Sequence, residues 1–220
     1  MTAITAEQYA ALQRAFDHFN ATLFSGTLPQ VLITFQRSKR FKGYFSPERF
    51  ESLAASGERR HEIALNPDVF DRDQAEILST LVHEMVHVWQ EEFGKRSRGG
   101  YHNMEWAAKM KAVGLHPSDT GAPGGKETGQ RMTHIIITDG PFDREAAKLL
   151  ADGIAIAWKS DIRKAGAAKK DKVAYACGCG TKVWGKPGLR VICGDCVELL
   201  ASLAAQQGDG VELAQPRAAG

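Results

Sequence analysis

The run His83-Glu84-Met85-Val86-His87, directly after the apolar stretch Ile77-Leu78-Ser79-Thr80-Leu81-Val82, constrains this chain more than any other feature. Residues i and i+4 share one face of a helix, so both imidazoles reach the same point and Glu84 projects beside them. Neutral imidazole is a good zinc ligand, a catalytic zinc keeps one position for water, and a neighbouring carboxylate can take a proton from that water. Asp71-Arg72-Asp73-Gln74-Ala75-Glu76 supplies a helix start with acids in its first turn, and Ile77, Leu81, Val82, Met85 and Val88 keep helical spacing. The histidines therefore lie on a helix that packs into a core. Two imidazoles and a carboxylate there need polar partners, and a metal provides them. The competing reading is a surface helix that carries these residues by chance, since the motif fixes only three positions.

Catalytic zinc prefers three protein ligands plus water. Gly94-Lys95-Arg96-Ser97-Arg98-Gly99-Gly100 breaks the helix, and Tyr101-His102-Asn103-Met104-Glu105-Trp106 opens a second amphipathic helix running to about Val113. A glycine-rich turn lets that helix fold back, which makes His102 the natural third ligand. Glu105 is its competitor, and a capping or surface histidine is the plain alternative.

These segments, His83 to Gln90, Tyr101 to Trp106 and Met110-Lys111-Ala112-Val113-Gly114-Leu115, resemble the SprT-like zinc metallopeptidase domain family (SprT/Spartan-like). Phe19 to Pro29 is similar to that family's opening helix and turn, and Gly43-Tyr44-Phe45 and Ile63-Ala64-Leu65-Asn66-Pro67 to its strands before the zinc helix. The resemblance covers about residues 5 to 120, and the C-terminal cysteines extend it. It implies a zinc metalloendopeptidase, and in the family's best-known member the domain cleaves proteins covalently trapped on DNA. One departure is Asn103, where the family usually has glycine; it reads as a helix-cap variation.

The predicted fold class is α+β: a small zincin-like metallopeptidase domain with helices on a short sheet, followed by a small β zinc ribbon. Ala6 to Phe24 has Tyr9, Leu12, Phe16, Phe19 and Leu23 at helical intervals, a core stripe. Val31 to Phe35, Phe41 to Phe45 and His61 to Leu65 read as strands, and helices near Ala75 to Phe93 and Asn103 to Val113 pack on them. An edge strand can hold a substrate backbone extended, and His61 to Leu65 is the candidate. Ser118 to Gly129 is too rich in glycine for a regular element and reads as a lid or a connector. Thr133 to Ile137 reads as a strand, Phe142 to Leu150 as a helix and Ile154 to Trp158 as another strand. His134 reads as a strand-end histidine, since three ligands are already named.

The expected organisation is a peptidase domain over 1–160 (core 5–120, loop 118–130, accessory segment 131–160), a basic linker over 161–172, a ribbon over 173–200 and a frayed tail over 201–220. All cysteines fall in the ribbon, as Cys177-Gly178-Cys179, thirteen residues, then Cys193-Gly194-Asp195-Cys196. Four thiolates close a tetrahedral zinc to water, so this site is expected to be structural and to supply the folding free energy of a segment too short for its own core. The two knuckles are expected to be joined by a short hairpin through Trp184, Gly185, Pro187 and Gly188. Free thiols or disulfides are the alternative.

The net charge is only +2. Basic residues nevertheless concentrate in the linker and ribbon (Lys159 to Arg190), at Arg37, Lys39, Arg40 and Lys42, and at Lys95, Arg96 and Arg98. Solvated lysines and phosphate contacts are near even on charge alone; the family resemblance tips the expectation to DNA. Trp184 or Tyr175 is a candidate to stack on an unpaired base. The N-terminus lacks the basic start and apolar core of a secretory signal, and no segment reads as spanning a membrane, so the expected compartment is the cytoplasm.

The expected chemistry is peptide hydrolysis with His83, His87 and His102 on a catalytic zinc, Glu84 as general base, and Cys177, Cys179, Cys193 and Cys196 on a structural zinc. Tyr101, Tyr44 and His134 are nominees for stabilising an oxyanion. The alternatives are a non-proteolytic, zinc-stabilised nucleic-acid-binding or regulatory protein, and a factor that cleaves itself in the glycine-rich loop or the basic linker.

Overall fold

The computed structural model describes residues 3–54, 57–161 and 172–203. Residues 162–171 of the basic linker and the tail beyond 203 lie outside the described residues. The chain divides into two units, Met1–Asp161 and Ile162–Gly220. The described residues form four α-helices and small sheets, an α+β architecture. No helix among them is long and apolar enough to cross a membrane.

The first unit opens with α1 (Ile4–Leu23). Leu12, Phe16 and Phe19 are fully buried, as their helical spacing requires, whereas Tyr9 is 37% exposed and packs its ring on Phe35. Buried Asn20 exchanges hydrogen bonds with the backbone of Leu28, its Nδ2 donating to Leu28 O and its Oδ1 accepting from Leu28 N. That exchange fixes the turn into the sheet.

The sheet has β1 (Leu32–Phe35), β2 (Gly43–Glu51) and β3 (Arg59–Leu65) in the order β1-β3-β2. β1 runs parallel to β3, and β2 antiparallel to it. The strand expected at the edge, His61 to Leu65, is therefore central, and both of its backbone edges are taken. Its burial from His61 through Leu65 is that of an inner strand. The outer strand on this side is β2, which starts at Gly43 rather than Phe41 and runs on to Glu51. A bulge falls between Ser46 and Phe50, where Glu48 has φ 46° and its N–H donates to His61 Nδ1. Buried Asn66 donates through Nδ2 to Ser38 O and Phe41 O, pinning the basic loop that leads into β2.

α2 (Gln74–Phe93) begins at Asp73, whose carboxylate accepts the Ala75 N–H, and ends at Gly94. α3 (Met104–Ala112) follows, then β4 (Leu115–Ser118) and β5 (Thr133–Ile136), an antiparallel pair, and α4 (Pro141–Ala151). Trp106, Met110, Leu115 and Phe142 join Ile63, Leu65 and the inner face of α2 in one core.

Ile154 to Trp158 is not a strand, contrary to its sequence pattern. Two glutamine side chains stand in for a backbone partner. Gln74 Nε2 donates to Ile156 O while Gln74 Oε1 accepts from Ile156 N, and Gln8 does the same for Trp158. Ile154 and Ile156 are thereby held in the core. The apolar alternation was real, but the ladder it meets is made of side-chain amides.

The second unit contains β6 (Val173–Ala176), β7 (Lys182–Gly185) and β8 (Ala201–Ser202), ordered β7-β6-β8. Trp184 and Gly185 lie in β7, paired with Ala174 and Val173, so the β6–β7 hairpin turns at Cys177 to Thr181, while Pro187-Gly188 forms a separate turn after β7 on the way to Cys193. Among the described residues its apolar cluster is small: Tyr175, Leu200 and two of the cysteines, with Val173, Val183 and Val191 packed against them. A core of that size needs a metal or crosslink to hold it.

Candidate metal centre

α2 carries His83, Glu84 and His87 on the side that meets α3 and β2. The turn from α2 to α3 brings His102 back to them, and side-chain hydrogen bonds hold it closed. Gln90 Nε2 donates to Asn103 Oδ1 (2.8 Å) and Glu105 Oε2 (3.1 Å), Lys95 N donates to the same Glu105 oxygen (2.6 Å), and Asn103 Nδ2 donates to Lys95 O (3.1 Å). Asn103 is the N-cap of α3, accepting the Trp106 N–H. Glu105 is thus engaged at the turn, where the Lys95 N–H and then Gln90 hold its carboxyl below its ordinary range. It does not join the histidines.

His102 is fixed by the glycine-rich loop. Its backbone N–H and C=O pair with Gly129 O and N, and its ring Nδ1 lies 3.1 Å from the same Gly129 oxygen. A carbonyl only accepts, so Nδ1 carries the proton and Nε2 presents a lone pair. The loop is more than a connector, since it sets the orientation of this ring.

One ligand nitrogen from each of His83, His87 and His102 lies within 4.8 Å of the other two. His87 Nε2 and His102 Nε2 are 3.1 Å apart. Two nitrogens on one tetrahedral zinc, with bonds of about 2.0–2.1 Å, sit about 3.3 Å apart, so this donor set fits such an ion. Trp106, fully buried on α3, packs against all three rings, with centroids 5.0, 5.4 and 4.3 Å from His83, His87 and His102. Its helical spacing from His102 was the available sequence signal, and it reads only as core.

Electrostatics favour the neutral, ligating state. Burial, with His102 adding, pushes His87 down to about 3, and burial likewise holds His83 well below its ordinary value and lowers His102. Glu84 is 4% exposed, and burial raises its carboxyl to about 8. A bound cation reverses that shift by favouring the carboxylate.

These groups open on a cleft of about 850 Å³ whose walls include Gly43, Tyr44 and Phe45 of β2 and Tyr101 beside His102. Lys39, Arg40, Lys42, Arg98 and Arg131 also line it. Arg96 lines it too while pairing with Glu91, whereas Arg37 pairs with Asp68 and is not among the lining residues. The three nominees for oxyanion contact differ. Tyr44 donates its hydroxyl to Glu62 (3.0 Å), His134 faces His83, and Tyr101 lies under the Arg98 guanidinium.

A sequence model of SprT-like proteins matches residues 12–126 of this 220-residue chain, just over half of it. The chain belongs to the SprT-like family. The matched part of this SprT-like chain contains His83, Glu84, His87 and His102 and ends before His134 and the cysteines. A Salmonella typhimurium protein, described as an uncharacterized protein in the mucB 3′ region, is 59% identical over 46 residues, or 21% of this chain. The SprT-like chain spans 62% of that relative's length. No solved structure matches.

The second unit holds the other donor cluster. Cys177, Cys179, Cys193 and Cys196 are free thiols whose sulfurs lie within 4.8 Å of one another. Cys179 and Cys193 Sγ are 3.7 Å apart, against about 3.8 Å for two thiolates on tetrahedral zinc with bonds of about 2.3 Å and far beyond a disulfide bond. Thr181, through its hydroxyl and backbone, holds the Cys179 thiol down to about 6. Tyr175 is buried, its hydroxyl donating to Lys186 O and accepting from Leu189 N, so of the two aromatic nominees only Trp184, 66% exposed, is open to a base.

Proposed function

We propose that this SprT-like protein is a zinc metalloendopeptidase of zincin-like architecture that acts on proteins associated with or crosslinked to DNA. The observation that carries the reading is the buried Glu84 carboxylate beside three convergent, neutral imidazoles on the wall of an open cleft. A purely structural metal site has no use for a base at that position. His83, His87 and His102 would hold the catalytic zinc. Zinc, when bound, supplies a Lewis acid that acidifies water and polarises a peptide carbonyl. Glu84 accepts the proton of the attacking water and passes it to the leaving amine. β2, paired on one side only, offers its other edge to an extended substrate, interrupted at Pro47, which has no N–H to give.

The four cysteines would hold a structural zinc that closes the ribbon. The cations along the cleft and, in the second unit taken by itself, Lys172, Lys182, Lys186 and Arg190 on the segment that carries exposed Trp184 each support a phosphate-bearing partner. The protein works in the cytoplasm on this reading.

The test is cleavage, followed on gels, of a protein crosslinked to DNA beside the same protein free, with wild type and Glu84→Gln and zinc supplied. Glu84-dependent cleavage confined to the crosslinked protein supports the full reading, and cleavage of both supports a general peptidase. Cleavage of neither, with DNA still bound, favours the non-proteolytic binding protein. Loss of intact mass from the wild type alone, incubated with DNA, would reveal self-cleavage.

A further inference from the structure

His134, on β5, lies outside the segment that matches the family and outside the set of candidate ligands. Its ring is held at both ends. Nε2 is 2.8 Å from Ser79 Oγ, and Nδ1 is 3.1 Å from His83 Nδ1. Ser79 stands one helical turn before His83 on α2, and its hydroxyl donates to Glu76 O at 2.9 Å.

The donor count along this chain has one solution. Glu76 O is a carbonyl and only accepts, so the single Ser79 hydroxyl proton is spent on it. Ser79 Oγ then accepts from His134, which places the His134 proton on Nε2. The ring of half-buried His134 meets the Ser79 hydroxyl and the His83 ring and no carboxylate among its described partners, so nothing there holds a second proton, the ring is neutral and its Nδ1 is a lone pair. That lone pair accepts the proton of His83 Nδ1. His83 is left with Nε2 free of a proton, the state a ligand must have. His102 reaches the same state through Gly129 O.

We propose that His134 is a positioning residue for the zinc ligand His83, and that Glu76, Ser79 and His134 form a one-way hydrogen-bond chain that selects the ligating tautomer. The inference rests on the reading of His83, His87 and His102 as a zinc site. Partners of this kind typically contribute on the order of 10- to 100-fold in metal affinity, because they fix both ring orientation and proton position. The two histidines come from separate elements, so β5 is tied to α2 through the site, while the glycine-rich loop before β5 is anchored to the segment of His102 through Gly129.

The experiment is nitrogen-proton NMR of the histidine rings in the full-length, metal-free protein, followed by zinc titration against a chelator with the His83 and His102 ring signals as readout. The variants are His134→Phe, His134→Asn and Ser79→Ala. The expected result is an Nδ1-protonated His83 in the parent. His134→Phe moves that proton to Nε2 and weakens zinc on the order of 10- to 100-fold. His134→Asn, whose side-chain oxygen replaces the Nδ1 acceptor, stays close to the parent in both respects, and Ser79→Ala loses part of the preference. A parent His83 protonated at Nε2, or zinc affinity unchanged in both His134→Phe and Ser79→Ala, overturns the proposal. Should His134→Phe fail to fold, the parent tautomer and the Ser79→Ala titration decide it. Absence of zinc uptake by the parent imidazoles would overturn the site reading itself, an outcome distinct from normal uptake with indifferent variants.

Discussion

A side chain at Gly43 would place its Cβ 3.0 Å from Glu84 Oε1, so the first residue of β2 and the carboxylate on α2 meet with only a hydrogen's width between them. The same Cβ would lie 3.0 Å from Ala64 O and 3.2 Å from Thr80 Cγ2. Ala64 O belongs to the central strand and cannot retreat, so the carboxylate has to. Gly43→Ala is therefore expected to leave zinc affinity near that of the parent and to lower kcat about tenfold or more, in line with about 100-fold for a 1 Å displacement of a reacting group. Parallel measurement of peptide cleavage and zinc titration checks this. Equal losses in both would show that the sheet itself had shifted.

The pH dependence of the metal-free fold follows from its buried imidazoles. In the unfolded chain they protonate near 6.5, while in the fold burial holds His87 and His134 to about 3 and His83 well below its ordinary value. Between those values the unfolded chain binds more protons than the folded one, so acid favours unfolding. The stability tied to these groups is fully present above about pH 6.5 and is lost as pH falls toward and through about 3. Thermal melts in chelator should show the midpoint of the first unit dropping from about pH 6.5 downward. Saturating zinc should delay that drop, because protons must then compete with the metal for the same nitrogens. A flat melting temperature from neutral pH to 4 in chelator would contradict the buried, neutral assignment.

What the sequence made legible was local. Helix α2, its cap at Asp73, the face shared by His83 and His87, and the return of His102 after a glycine-rich turn all depend on residues within a few turns of one another. Strand order did not yield to the same reasoning. His61 to Leu65 alternates well enough for an edge or a centre, and only the placement of β1 and β2 on either side decides. Trp106, Gly129 and Gly43 were missed as parts of the site, and His134 was nominated for an oxyanion but not as the partner of His83, for a related reason: the contacts that matter run between segments distant in sequence or through an absent side chain. The segment Ile154 to Trp158 had a strand's composition, but its partners are Gln8 and Gln74, which nothing local connects to it.

That last pairing makes a stability prediction. Gln74 satisfies both the N–H and the C=O of Ile156, a residue 6% exposed in the core. Gln74→Ala leaves two backbone groups without their partner at the cost of about 1–3 kcal/mol. Denaturant unfolding of the zinc-loaded protein should show a loss of that size, with zinc affinity retained, since Gln74 is more than two turns from His83 on α2. Gln74→Glu should be nearly as damaging, because a carboxylate keeps the acceptor but loses the donor that Ile156 O needs.

The ribbon provides the last test, because its zinc and the imidazole zinc should be removable one at a time. The four thiols sit at the second unit's small apolar cluster, whose other described members are Tyr175 and Leu200 with half-buried Val173, Val183 and Val191 packed against them. Cys193→Ser should lower the bound zinc from two ions per chain to one and collapse the amide dispersion of β6, β7 and β8, since a segment of this size draws its folding free energy from the metal. The first unit should keep its ion, because its ligands lie in a separate compact unit with a core built from α1, α2, α3 and α4. Elemental analysis of zinc per chain, read with an NMR spectrum of the same sample, separates the sites. Peptide cleavage of an unmodified substrate should survive Cys193→Ser, whereas any stimulation by DNA that depends on Trp184 should disappear with the ribbon. Retention of two zinc ions would instead mean that three thiolates suffice, and loss of both would mean that the units fold as one.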